Sequence, residues 1–82
     1  MITIYTTNWC SYCVAAKQFL KENNLDYEEI NIEKNNMTRQ DLEKLSGNYT
    51  VPQIFINDKC IGGYDQLISL YQNDELKDLL YE

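Results

Sequence analysis

Ile2-Thr3-Ile4-Tyr5-Thr6-Thr7-Asn8-Trp9-Cys10-Ser11-Tyr12-Cys13 is the stretch on which the fold turns. Its first residues, Ile2 to Thr6, alternate apolar and polar, the period of a strand with one buried face. From Ser11 to about Asn23 the pattern becomes helical, with Tyr12, Ala15, Ala16, Phe19 and Leu20 expected on one face and Lys17, Lys21 and Glu22 away from it. Asn23-Asn24 is a helix stop. Tyr27 to Ile32 reads as a second strand, and its acidic residues suit a sheet edge, where charge discourages strand addition. Strand, helix and strand in such quick succession predict a right-handed βαβ unit with parallel strands. Cys10 and Cys13 therefore fall at the turn from the first strand into the first helix.

The rest of the chain extends this unit. Thr38 begins a second helix of about two turns. Thr38-x-x-Asp41 has capping-box form, and Leu42 and Leu45 are expected to supply the buried side. Ser46-Gly47-Asn48 ends it. Gln53-Ile54-Phe55-Ile56 is a nearly continuous apolar strand, suited to a sheet centre. Asn57-Asp58-Lys59 is turn-like, and Cys60-Ile61 follows as a hairpin partner. After Gly62-Gly63, Asp65 to about Leu80 is helical, interrupted near Asn73-Asp74, with Leu67, Leu70, Leu76, Leu79 and Leu80 facing in. The order βαβ-α-ββ-α predicts an α/β fold, a four-stranded mixed sheet flanked by helices on both faces. With no repeat, linker or low-complexity segment, residues 1–82 are expected to form a single domain.

Composition removes several function classes. The chain has 7 basic and 13 acidic residues, a net charge of −6, which argues against a nucleic-acid partner. No stretch approaches the length of a membrane span. Met1-Ile2-Thr3-Ile4 lacks the basic start of a signal peptide, so the expected location is cytoplasmic. There are three cysteines and no histidine. An odd cysteine count without a secretion signal argues against a disulfide framework. The lack of histidine removes Cys/His base pairing and mixed zinc sites, and one C-x-x-C cannot complete a four-cysteine zinc site. What remains is a redox pair.

The pair is placed to react. The thiolate is the nucleophile, and a helix N-terminus can lower a cysteine pKa from about 8.5 to roughly 3.5–7.5. Cys10 falls where the helix begins, so unpaired N–H groups and the positive dipole end favour its anion. Cys13 is one turn further in and more shielded. Cys10 is the expected nucleophile and Cys13 the resolving thiol. Tyr12 packs on the helix, walls the active sulfur, or does both, and Trp9 is a rim aromatic. Thr50-Val51-Pro52 puts a proline at a strand start. Alone it is a rigid turn, but it also leaves the Val51 N–H and C=O free for an extended peptide. Gly62-Gly63-Tyr64-Asp65 is by itself a glycine turn before a capped helix. Its glycines also let a ligand approach, the helix start can hold a carboxylate, and Asp65 can cap the helix or take an ammonium group.

Together, Cys10-Ser11-Tyr12-Cys13, Thr50-Val51-Pro52-Gln53-Ile54-Phe55-Ile56 and Gly62-Gly63-Tyr64-Asp65 resemble a dithiol glutaredoxin of the thioredoxin-fold superfamily, across essentially the whole chain. The resemblance implies a thioredoxin-like sheet in the order second, first, third, fourth strand, and a cis peptide bond at Val51-Pro52. It implies a glutathione-dependent thiol–disulfide oxidoreductase acting on glutathione mixed disulfides and protein disulfides. The Cys10–glutathione adduct is then resolved by a second glutathione or by Cys13. Glutathione is the implied co-substrate, and glutathionylated or disulfide-containing proteins are the implied partners of a monomer. The implied binding residues are Tyr12 beside the sulfur, Val51 within the Thr50–Pro52 turn on the cysteinyl backbone, and Tyr64 and Asp65 with Gly63 at the γ-glutamyl end. Arg39 is the implied partner of the glycyl carboxylate.

The chain departs from the family pattern in places. Ser11 stands where many members have proline, Thr7 where many have lysine, and Tyr64 where dithiol members often have cysteine. Cys60 is an extra thiol, read first as a small strand residue and otherwise as a site of glutathionylation or dimerisation. Some members with serine at the Ser11 position assemble a [2Fe–2S] cluster between two subunits. A cluster-bridged dimer held through Cys10 and glutathione is therefore one alternative. A redoxin fed by thioredoxin reductase is another, disfavoured by the Gly63-Tyr64-Asp65 element.

Overall fold

The computed structural model describes residues 1–81. In chain order the elements are β1 (Ile2–Thr6), α1 (Ser11–Glu22), β2 (Tyr27–Asn31), α2 (Arg39–Ser46), β3 (Gln53–Ile56), β4 (Lys59–Gly62), α3 (Tyr64–Gln72) and α4 (Leu76–Leu80). The sheet order is β2-β1-β3-β4. β1 runs parallel to β2 and antiparallel to β3, and β3 runs antiparallel to β4. This is the expected thioredoxin-like α/β arrangement, with acidic β2 at an edge and apolar β3 inside.

Alternation along β1 decides which face each helix covers. Ile2, Ile4 and Thr6 are buried on one side. Ile2 and Ile4 join Ile54 and Ile56 of β3, Ala16 and Leu20 of α1, Leu67 of α3 and Leu76 of α4 in one core. Burying each large aliphatic side chain of this kind stabilises the fold by about 1.5–3 kcal/mol. The opposite face carries Tyr5 and Phe55, whose rings meet edge to face at 5.4 Å, and Gln53, which reaches α2. α2 starts at the predicted box: the Asp41 N–H bonds the Thr38 hydroxyl at 3.1 Å, and the Thr38 N–H bonds the Asp41 carboxylate at 2.8 Å. The β3–β4 turn puts Asn57 and Asp58 at φ of 51° and 69°, the paired left-handed conformation that matches strand twist.

Two inward faces differ from expectation. In α2 only Leu42 is buried, and Leu45 is 53% exposed. Ser46, one turn after Leu42, takes the inward position because its hydroxyl bonds Gln53. In α1 the buried stripe is Cys13, Ala16 and Leu20, which leaves Tyr12 outside it at 62% exposure. Among the described residues, no helix is long and apolar enough to cross a membrane.

Candidate active site

Cys10 is the residue that caps α1. Its backbone is extended, with φ −138° and ψ 106°, and its Sγ accepts the Cys13 N–H at 3.1 Å. The helix begins here because the strand geometry of Cys10 lets its own C=O accept the Val14 N–H at 3.1 Å. Cys10 and Cys13 are disulfide-bonded, with Cα atoms 5.2 Å apart, inside the ordinary span for such a bridge. Cys13 is buried, whereas Cys10 is half-buried and faces out. The sulfur that solvent and a partner can reach is thus the one on the helix end.

A groove of about 260 Å³ lies nearby, lined by Tyr12, Thr50, Val51, Pro52, Gly63, Tyr64, Asp65 and Gln66. The Val51-Pro52 bond is cis, as the resemblance implied, and the Val51 carbonyl oxygen lies 3.8 Å from Cys10 Sγ. Gly63 stands close to this turn: a Cβ there would come within 3.3 Å of the Pro52 carbonyl oxygen. The Tyr12 and Tyr64 rings sit side by side along the groove, centroids 6.1 Å apart.

α3 begins in the groove wall. Its cap is Gly63 and not Asp65, which occupies the second helical position with its side chain exposed. The capping contact comes from Gln66, whose Oε1 accepts the Gly63 N–H at 2.9 Å. First-turn N–H groups have no intrahelical acceptors, and the end of α3 that carries those of Tyr64 and Asp65 lines the groove.

Seven of the predicted binding residues therefore line one groove. Arg39 is not among them. It opens α2, and its Nη1 donates to the Tyr49 carbonyl at 3.1 Å, on the loop leading to Thr50. Trp9 is 95% exposed, at the rim. Cys60 is half-buried on β4 and lines a neighbouring depression with Thr50, Pro52, Gly63 and Gln66.

Polar contacts fix the segment that carries Cys10. Asn8 donates to both oxygens of Glu33, by its backbone N–H at 3.3 Å and its Nδ2 at 2.9 Å, and its Oδ1 accepts Asn31 Nδ2 at 2.8 Å. The buried Thr6 hydroxyl donates to Glu29 at 2.8 Å, and Lys17 of α1 pairs with the same oxygen at 2.9 Å. Burial pushes the Glu29 pKa up, but the hydrogen bonds from Lys17 and Thr6, with the charges of Lys17 and Lys34, outweigh it and hold the carboxyl below its usual value. At the start of α2 the Thr38 backbone N–H, above all, lowers the Asp41 pKa.

Gln66 and Gln53 escaped the sequence reading. The S/T-x-x-E/Q form hides a cap when its first member is glycine, as at Gly63. Gln53 looked like the start of an apolar strand, but it is 2% exposed with its carboxamide paired.

The glutaredoxin family model matches residues 2–61. A glutaredoxin of Pseudomonas aeruginosa is 40% identical over 79 residues, spanning 96% of this chain and 94% of its own. Glutaredoxin 3 of Escherichia coli K12 is likewise 40% identical over 79 residues, spanning 96% of this chain and 95% of its own. The crystal structure of a buckwheat glutaredoxin–glutathione complex superposes with a TM-score of 0.87 at 24% identity, covering 98% of this chain and 76% of that one.

Proposed function

Because the chain belongs to the glutaredoxin family, whose chemistry is thiol–disulfide exchange, we propose that it is a glutathione-dependent oxidoreductase working through Cys10 and Cys13. The observation that carries this reading is the outward Cys10 sulfur on the end of α1, next to a groove bounded by Val51 and the start of α3.

The Cys10 thiolate attacks the glutathionyl sulfur of a mixed disulfide. A Cys10–glutathione disulfide forms and the protein thiolate leaves. A second glutathione thiolate attacks the bound glutathione sulfur, which frees Cys10 and yields glutathione disulfide. With a protein disulfide, Cys10 forms the mixed disulfide and the Cys13 thiolate attacks the Cys10 sulfur. The second protein thiolate leaves and the internal disulfide closes. Two glutathiones then restore the dithiol and become glutathione disulfide.

The groove suits a tripeptide with a zwitterionic γ-glutamyl end. The Val51 main chain takes the cysteinyl backbone in strand fashion. Thr50, Pro52 and Gly63 frame it, and Tyr12 flanks the sulfur. The Tyr64 and Asp65 N–H groups take the γ-glutamyl carboxylate, the Asp65 side chain takes its ammonium group, and Arg39 takes the glycyl carboxylate. Residues 1–82 act as one domain, in a compartment that keeps glutathione reduced, such as the cytoplasm.

The test is glutathione-coupled reduction of a small glutathione mixed disulfide by the native chain, Cys10→Ser and Cys13→Ser. Loss of activity only in Cys10→Ser is expected, with direct reduction of protein disulfides lost in Cys13→Ser. Activity in Cys10→Ser, or none in the freshly reduced native protein, overturns the proposal.

A further inference from the structure

Gln53 opens β3 directly after Pro52, yet it is 2% exposed. A buried carboxamide is costly unless both of its ends are paired, and here both are. Its Oε1 accepts the Ser46 hydroxyl at 2.6 Å, and its Nε2 donates to the Asn48 carbonyl at 2.6 Å. The Ser46 oxygen in turn accepts the Asn48 N–H at 3.2 Å. That oxygen also lies 3.2 Å from the Leu42 carbonyl. A hydroxyl has one proton, and the shortest contact, to Gln53, takes it. Turned over, the carboxamide would set its oxygen against the Asn48 carbonyl, so it seats in one sense only.

Gln53, Ser46 and Asn48 thus form a closed ring. It ties the loop after α2 to the end of that helix and to β3. The loop runs on to Val51, whose main chain walls the groove and meets Cys10. One side of Val51 is fixed by β3 and the other by this ring together with the Arg39 contact to the Tyr49 carbonyl.

We infer that Gln53, with Ser46, is a positioning residue for the Val51 main chain and thereby sets how tightly the groove holds a glutathionyl ligand. This rests on the proposed glutathione reaction. A loop released from the ring must be ordered each time a ligand pairs with Val51, and that cost falls on affinity. Bond exchange at Cys10, held by the Cys13 N–H, is untouched.

Two variants of the full chain test it with the mixed disulfide of glutathione and 2-mercaptoethanol. Gln53→Met keeps the length and removes both polar ends. Ser46→Ala opens the ring at a half-buried position and guards against a folding failure of the first. KM is expected to rise roughly threefold or more in each variant, with kcat within roughly twofold of native. The pH midpoint of Cys10 alkylation stays in place. The double variant is no worse than the worse single one, because both open the same ring. A native KM in folded Ser46→Ala overturns the inference, as does a matching fall in kcat or a multiplicative effect in the double variant. If the native chain does not reduce this disulfide, the proposed reaction fails, and hydrogen exchange then decides the ring separately. Faster exchange of the Val51 N–H in Ser46→Ala supports it, and equal exchange overturns it.

Discussion

The sulfur of Cys10 lies 3.8 Å from the carbonyl oxygen of Val51, although the two residues are 41 positions apart. On its other side the Cys13 N–H points at it from 3.1 Å. These contacts act on the thiolate in opposite senses, since the N–H draws the anion and the carbonyl oxygen repels it. The N–H is closer and is backed by the other free donors of the first turn of α1.

The Cys10 thiol is therefore expected to titrate below the range of a free cysteine, about 8.5. Alkylation of Cys10 by iodoacetamide against pH, in Cys13→Ser with Cys60→Ser, measures it. A midpoint at or above the free-thiol value would show that the carbonyl dominates.

Glu29 gives a dependence on acid. Its folded pKa lies below the unfolded value of about 4.3, so the unfolded chain binds more protons in that interval. Its contribution to stability is complete above the unfolded pKa and is lost as pH falls through the folded one. Glu29→Gln should flatten the loss of thermal stability between roughly pH 5 and pH 3. An unaltered profile would mean that the Lys17 and Thr6 contacts add nothing in solution.

Gly62 has φ of +112°, and a Cβ there would lie 2.8 Å from the Gln66 Cγ. Gly62→Ala should cost roughly 1–3 kcal/mol through backbone strain. It should also push Gln66 off the Gly63 N–H. Urea denaturation measures the first effect, and the Gly63 amide shift reports the second. A stability equal to native would show that the turn relaxes freely.

Much of this architecture was legible in the chain. Period-two alternation placed β1, the Thr38-x-x-Asp41 pattern placed α2, and three short motifs brought seven residues to one groove. What was missed depends on partners distant in sequence. Leu45 fits a helical stripe with Leu42, but Ser46 turns inward because a carboxamide on β3 waits for its hydroxyl. Tyr12 fits the apolar pattern of α1, yet the stripe that meets the sheet starts at Cys13. Asp65 looked like a cap because side chains that reach back, as Gln66 does to Gly63, give no signal when the capped residue is glycine. Arg39 was assigned by resemblance alone, and its Nη1 bonds the Tyr49 carbonyl on the loop that leads to Thr50.

β1 lies between β2 and β3, so it is the seam along which the two halves of the chain join. The reactive sulfurs hang from the half before it closes, and six of the groove residues, Thr50 to Pro52 and Gly63 to Asp65, from the half after. The dithiol and most of the groove wall are thus carried on separate stretches of the chain. A graft of residues 47–66 exchanges six of the groove residues while Cys10, Tyr12 and Cys13 stay in place, and it carries with it the Val51 carbonyl that meets the Cys10 sulfur.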